Sequence, residues 1–286
     1  MVTKTKGQAR TVKKVLTSPL KKGLSGASTH KIKQRLSAIF TVAVKKEIMR
    51  RNPCKLVTPI KIDTPPAAYL DEEQSFKLLD TLNAGENQQL NVIVNLMLAS
   101  GIRPGECTAL HWEDINLDTG LMQIRHTLIR FKRKYILETP KTENSNRHIV
   151  LPPYIIGLLV EHKRRQDEYL ESIGEASLYN GSIFINAHGD YFNPVNINTQ
   201  LKRAIEGLGL PEIHLYSLRH THASLLINAD IPAKIVANRL GHALTKTTLD
   251  TYSHVFAASE VRAMQAVDMK LFQRNTEAAS ENGERL

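Results

Sequence analysis

Cysteine is scarce in this chain of 286 residues, which contains only Cys54 and Cys107. The two cysteines are far apart and lack the paired spacing of zinc ligands, so the sequence predicts neither a disulfide framework nor a zinc site. Apolar runs are short as well, and none approaches the roughly 20 residues that cross a membrane. The N-terminus lacks the apolar core of a signal peptide. These absences predict a reduced, cytoplasmic protein that does not enter a membrane.

Acidic residues are almost missing from the first fifth of the chain. Residues 1–62 contain sixteen lysine or arginine residues and one acid, Glu47, for a net charge of +15. The other residues carry 22 basic and 27 acidic side chains, for a net charge of −5. Such a segment indicates a polyanionic partner, because lysine and arginine neutralise nucleic-acid phosphates. For residues 1–25, a solvated basic tail is an equally good interpretation.

Helical spacing of apolar residues dominates the chain, of which 42% is hydrophobic. The first helix should begin near Ser28 and end before Pro53. A capping box of Asp71 and Gln74 predicts the start of the second helix, and Gly101 is placed to end an apolar helix. Further helices are predicted at 88–100, 153–171 and 195–206, and short helices broken at 229–230, 241 and 243 are predicted within 217–254.

Alternating apolar residues predict strands in the middle of the chain. The runs lie at 121–129, 134–138 and 147–151, and polar turns separate them. Strands this close in sequence favour antiparallel pairing. The predicted fold class is therefore mainly α with a small antiparallel β-sheet (α+β).

Four segments carry the side chains that cleavage of a phosphodiester by a phenol requires. Arginine presents a fork of donors to two phosphate oxygens, lysine and histidine can move protons, and tyrosine can attack phosphorus and form a phosphotyrosine. Each residue taken alone has an ordinary structural explanation, such as a salt bridge or a buried ring; their combination favours the chemistry. The segments are "SGIRPGE" with Arg103, "ETPKTENSNR" with Lys141, "YSLRHTHASLL" with Arg219, and "RLGHALTKTTLDTYSHV" with His242 and Tyr252.

The segments "SGIRPGE", "LRHTHASLL" and "LGHALTKTTLDTYSHV" resemble, in order and separation, the three signature boxes of the tyrosine recombinases, specifically the integrases of phages and related mobile elements. The resemblance covers residues 70–265, the catalytic domain of that family, and more weakly 28–62, the end of its core-binding domain. It implies a site-specific recombinase that integrates or excises a phage or other mobile element. Strand cleavage would pass through a 3′-phosphotyrosyl intermediate without metal, ATP or another cofactor.

The resemblance also implies a role for each matched residue. Arg103 and Arg219 would clamp the scissile phosphate and stabilise its transition state. Lys141 would protonate the 5′-hydroxyl leaving group, and His242 would hydrogen-bond a phosphate oxygen. Tyr252 would be the nucleophile.

Tyr216 departs from the family pattern, which usually has a histidine three residues before the second arginine. A phenol is a poor base at neutral pH, so the substitution leaves slower cleavage, or none, as open outcomes. Glu106 would support the site and hold it in register. His220 and His222 are expected to pack and hydrogen-bond within the domain rather than to take part in the chemistry.

On this resemblance the chain has four parts: a basic N-terminal region with a partial core-binding domain at 1–62, a linker at 63–70, an integrase catalytic domain at 71–275, and a frayed tail at 276–286. The implied partners are double-stranded DNA that carries the recombination site, further copies of the chain in a homotetramer, and accessory DNA-bending proteins. The protein would associate with the nucleoid when bound to DNA. A helix at 259–272 would either pack on its own core or dock into a neighbouring protomer.

Two other functions stay open. A catalytically impaired, decayed integrase could act only as a DNA-binding protein, and Tyr216 and the short N-terminal region favour this interpretation. A topoisomerase resembling type IB would use the same chemistry without exchanging strands.

Overall fold

The computed structural model describes residues 25–57, 68–132, 134–139, 146–174, 179–253, 255–256 and 264. The chain divides into two compact units, Met1–Pro66 and Ala67–Leu286, which are described one after the other. The predicted division into four parts stays a prediction. Lys141 and nearly all of the helix predicted at 259–272 lie outside the described residues.

The first unit contains helix α1, Gly26–Lys45, and a 3₁₀ turn, Pro53–Leu56. Ser25 caps α1 by accepting a hydrogen bond from the backbone N–H of Ser28, so the helix begins about one turn earlier than predicted. One face of α1 packs against the turn that follows it and forms a small apolar cluster. The cluster consists of Ile32, Leu36, Phe40, Cys54 and Val57.

The second unit is built around helix α3 (Gln88–Ser100), in which residues 90–97 are all buried. It packs against α2 (Glu72–Ala84), α5 (Pro153–Ile173) and α7 (Leu215–Asn228). The capping box of Asp71 and Gln74 starts α2 as predicted, and Gly101 ends α3 in the left-handed conformation with φ 68°. The helices are α2 (Glu72–Ala84), α3 (Gln88–Ser100), α4 (Pro104–Cys107), α5 (Pro153–Ile173), α6 (Pro194–Ile205), α7 (Leu215–Asn228), α8 (Ala233–Leu240) and α9 (Thr245–Thr251).

The predicted antiparallel strands form two hydrogen-bonded pairs. The run predicted at 121–129 is interrupted at Arg125, whose guanidinium binds Asp114 and Glu113. The interruption divides it into β1 (Leu121–Ile124) and β2 (Thr127–Phe131). β1 pairs with β4 (Arg147–Val150), and β2 pairs with β3 (Lys134–Glu138).

The predicted breaks between the last helices are confirmed, since α7 ends at Asn228, α8 at Leu240, and α9 begins at Thr245. Gly241 ends α8 with φ 69°, and a Cβ atom at this position would lie 2.7 Å from Nη1 of Arg147. Glycine is therefore required for both the backbone conformation and the close approach. Within the described ranges, no helix is long and apolar enough to cross a membrane.

Candidate active site

Arg103 lies where the chain leaves α3 and enters α4. The left-handed Gly101 ends the first helix and Pro104 begins the second, so the arginine is held in a sharp bend. Its guanidinium donates from Nη1 to Glu106 Oε1 at 2.6 Å and from Nη2 to the Gly241 carbonyl at 3.2 Å. The side chain is still 32% exposed, which leaves it accessible to a ligand.

Arg219 lies on α7 and is almost fully buried. Nη1 donates to the Gly101 carbonyl at 2.8 Å and Nη2 to the Leu240 carbonyl at 2.7 Å. These carbonyls lie at the C-terminal ends of α3 and α8, where the helix dipoles favour a cation. Burial, together with the charges of Arg103 and Arg147, lowers the pKa of Arg219 to about 10, so the group is charged at neutral pH.

Arg147 lies close to Arg103 and Arg219 and forms an arginine cluster with them. It was not identified from the sequence. It begins β4, and its Nη2 donates to Glu106 Oε2 at 2.9 Å while its Nε donates to the Arg239 carbonyl at 2.8 Å. The alternation of buried and exposed residues along β4 could have revealed it. Arg147 and Ile149 lie on the buried face of the strand, and the residue after each is exposed. A charged residue on a buried strand face indicates a partner elsewhere in the chain.

Glu106 joins two of the arginines through its buried carboxylate. Burial alone would raise its pKa, but the hydrogen bond and charge of Arg147 and the charge of Arg103 more than offset this effect and hold the pKa below its usual range. The carboxylate is therefore ionised at neutral pH. One carboxylate then faces three arginines, Arg103, Arg147 and Arg219. Because uncompensated charge is costly in a buried location, this surplus favours an anionic ligand.

His242 follows α8 at the edge of the arginine cluster. Its Nδ1 lies 2.7 Å from Oγ1 of the buried Thr248. Burial and the charges of the surrounding arginines, with Arg219 the largest, lower the pKa of His242 to about 4. The imidazole is therefore neutral at pH 7 and able to donate one hydrogen bond.

Tyr252 lies directly after α9 and is only 2% exposed. Its hydroxyl lies 3.0 Å from Nδ1 of His220. Burial raises the pKa of Tyr252 to about 12, although the nearby charge of Arg219 acts to lower it. The phenol is therefore protonated at neutral pH. Its ring packs in an apolar cluster with Ala223, Ile227, Val236, Leu240 and Val255.

Residues 68–259 match the model of the phage integrase family. The chain belongs to this family. It is 29% identical over 267 residues to a "Tyrosine recombinase XerC-like" protein of Caldanaerobacter subterraneus, with 86% of this chain and 67% of the relative covered. It is 28% identical over 250 residues to the ICEBs1 integrase of Bacillus subtilis, with 86% and 66% covered. The chain spans about two thirds of the length of these curated relatives.

Two solved structures show that the fold is that of integrase-family recombinases. One is the Tn1549 transposon integrase in complex with transposon right end DNA, with a TM-score of 0.78, 21% identity, and 92% of this chain and 85% of that chain covered. The other is the XerH site-specific recombinase bound to the palindromic difH substrate, with a TM-score of 0.65, 21% identity, and coverage of 91% and 71%. The predicted mainly α fold with a small antiparallel sheet is thus confirmed.

The structure places Arg103, Arg219, His242 and Tyr252 around one cluster, and their catalytic roles stay predictions. Tyr216 lies one turn before His220 on α7 and is about half exposed. Among the described side chains, no three His, Cys, Asp or Glu residues are grouped so as to hold a metal ion.

His222 packs and hydrogen-bonds as expected, but His220 has the candidate nucleophile as its partner. The Nδ1–H of His222 donates to the Leu98 carbonyl at 2.7 Å, and Nε2 accepts from Nε of Arg239 at 3.1 Å. Protonation of His222 at Nε2 would place this new N–H group against the Nε–H group of Arg239. Burial and the charges of the neighbouring arginines lower the pKa of His222 to about 4.

The free energy of unfolding should therefore fall as the pH is lowered from about 6.5 toward 4, because the unfolded chain then binds a proton that folded His222 rejects. We expect a contribution of up to about 1.4 kcal/mol per pH unit from this histidine. Urea unfolding at several pH values measures it, with His222→Asn expected to lessen the slope but not remove it, since His242 also titrates low. If the free energy of unfolding of His222→Asn fell with pH as steeply as that of the unchanged chain, His222 would not be a source of the pH dependence.

Proposed function

We propose that this chain is a site-specific DNA recombinase that cleaves and rejoins DNA strands through a 3′-phosphotyrosyl link to Tyr252. It would integrate or excise a phage or other mobile element. The proposal depends on one observation: more arginines than carboxylates lie in the site, next to the buried hydroxyl-bearing side chain of Tyr252. A phosphodiester supplies the missing negative charge, and family membership makes DNA its natural source.

Phosphate binding would begin at Arg103 and Arg219. Arg219 is held by two helix-terminal carbonyls, and Arg103 is oriented by Glu106, so neither guanidinium needs to be ordered when the ligand arrives. Preorganised donors of this kind stabilise the charge that grows on the equatorial oxygens during the reaction. Glu106 and Arg147 support this geometry, because the Glu106 carboxylate accepts hydrogen bonds from both Arg103 and Arg147.

Strand cleavage would follow by attack of the Tyr252 hydroxyl on phosphorus. The bond from the phenolic oxygen to phosphorus forms while the bond to the 5′-oxygen breaks, and Lys141 would protonate that leaving oxygen. His242 would donate a hydrogen bond to a non-bridging oxygen. The number of phosphoester bonds does not change, so ligation by a 5′-hydroxyl is the reverse reaction and no ATP is required. The arginines supply the positive charge for which other phosphoryl-transfer enzymes use metal ions.

The assembly we propose is a homotetramer on two DNA sites, with accessory DNA-bending proteins. The relatives are named as integrases and recombinases, and the Tn1549 integrase structure is a complex with transposon right end DNA. The basic segment 1–62 would add contacts to the DNA backbone.

Deletion of residues 1–25 should weaken DNA affinity and its salt dependence, because the segment contains seven lysine or arginine residues. Each lost phosphate contact lowers the slope of log affinity against log salt by about 0.9. Fluorescence anisotropy at several salt concentrations measures the slope. A slope equal to that of the full chain would indicate a solvated tail that does not contact DNA.

The test of the proposed function is a covalent trap. DNA from the junctions that flank the element is nicked near the crossover, incubated with the protein and analysed by denaturing electrophoresis, and the adduct is digested to find the phosphopeptide that contains Tyr252. An adduct at Tyr252 supports the proposal. Joining of two duplexes distinguishes a recombinase from a topoisomerase that only relaxes one.

A DNA-binding protein without catalysis is the second candidate. Tyr216 in place of the usual histidine and the burial of Tyr252 favour it. A relative from Escherichia coli, 27% identical over 258 residues with 83% of this chain and 62% of that protein covered, is named "Putative defective protein IntQ". Binding to the junction DNA without any adduct would support this candidate.

A further inference from the structure

His220 contacts the hydroxyl of Tyr252 through its imidazole. Nδ1 lies 3.0 Å from the phenolic oxygen, and the two rings are tilted by 58° with their centroids 5.6 Å apart. His220 directly follows Arg219 on α7, so one helix presents both a proposed phosphate ligand and this imidazole. The contact joins residues that are 32 positions apart in the sequence.

We propose that His220 accepts the proton of Tyr252 during strand cleavage, in place of the histidine that the family pattern has at position 216. This assignment rests on the proposed function. As the bond from the phenolic oxygen to phosphorus forms, the O–H bond breaks and its proton passes to Nδ1 of His220. A neutral imidazole with its hydrogen on Nε2 becomes an imidazolium. The proton returns to the phenol when the 5′-hydroxyl attacks the phosphotyrosine.

Tyr216 and His242 are less suited to accept the proton of Tyr252. Tyr216 is a phenol and about half exposed, and a phenol gains no driving force from taking a proton from another phenol. Nδ1 of His242 faces Thr248, whereas Nδ1 of His220 faces the hydroxyl of Tyr252. Tyr252 itself requires a base, because burial makes its hydroxyl harder to ionise.

The surrounding charges would couple this proton transfer to DNA binding. The titratable groups near His220 include Tyr252 and His242, and Arg219 acts on both of these. Without DNA, Arg219 and its neighbouring arginines disfavour a further positive charge, so the proton stays on Tyr252. A bound phosphate brings compensating negative charge, and the imidazolium then forms beside an anion.

The same contact could instead hold Tyr252 in its buried position and delay cleavage. The two roles predict opposite effects of removing the imidazole. If His220 accepts the proton, its removal slows adduct formation. If His220 only restrains Tyr252, its removal speeds adduct formation. The pH dependence differs too, because only a proton acceptor produces a rate that rises as the imidazole loses its own proton.

The experiment measures single-turnover adduct formation on the nicked duplex between pH 5.5 and 9 for the full chain and its variants. His220→Asn keeps a hydrogen-bonding group near Nδ1 that cannot accept the proton, and His220→Ala removes the ring. We expect both to be slower by about 10²- to 10⁴-fold and to lose the rise of the rate with pH. Added imidazole should partly restore His220→Ala, which a merely structural role would not explain.

Controls separate this assignment from the proposed function. His148→Asn changes an exposed histidine on β4 and should leave the rate unchanged, and the unfolding midpoint and DNA affinity of His220→Asn verify its fold. Adduct formation by His220→Asn that is as fast as in the unchanged chain, or faster, overturns the role of His220 alone. The absence of an adduct from the unchanged chain overturns the proposed function and this assignment with it.

Discussion

Tyr252→Phe should abolish covalent capture of DNA, with a rate at least about 10⁴-fold lower than that of the unchanged chain. The variant lacks the oxygen that would bond to phosphorus. Adduct formation on nicked junction DNA, followed by denaturing electrophoresis, measures the loss.

The same substitution should leave the fold and DNA binding nearly unchanged. The phenyl ring would stay in the cluster of Ala223, Ile227 and Val236, and only the contact with His220 is lost, which costs about 0.5–1.5 kcal/mol. DNA affinity within a few-fold of the unchanged chain is the matching control. An adduct that persists in Tyr252→Phe would show that another residue is the nucleophile.

Glu106→Ala should lower the free energy of unfolding by about 3–5 kcal/mol, because removal of one partner from a buried ion pair leaves the other charges uncompensated. The carboxylate accepts from Arg103 and Arg147, and Arg219 lies within reach of the same charges. Since the folded pKa of Glu106 lies below its unfolded value, this stabilisation is present at neutral pH and is lost as acid protonates the carboxylate. Urea unfolding measures both effects.

Glu113→Ala is the matched control for that substitution. Glu113 also binds an arginine, Arg125, at 2.6 Å, but its side chain is 74% exposed. Exposed ion pairs contribute up to about 1 kcal/mol. Equal losses from the two variants would show that Glu106 acts as an ordinary ion-pair partner and not as the counterion of a buried cluster.

The sequence alone indicated the parts of the site that depend on short-range geometry. The boxes with Arg103, Arg219 and Tyr252 were recognisable because their residue types and spacings are local. The capping box of Asp71 and the left-handed Gly101 follow from the conformational preferences of a few adjacent residues, and the structure confirms both.

Other features became apparent only in the tertiary structure. Arg147 reaches Glu106 across 41 residues, and His220 meets Tyr252 across 32. Both contacts depend on the packing of α8 against α7, α9 and β4, and no local pattern specifies them. The break in the strand at Arg125 has the same origin, because its ion pairs join separate elements. Local sequence determined which groups could perform the chemistry, and packing decided which of them meet, because burial and distance set the charge and protonation of each group.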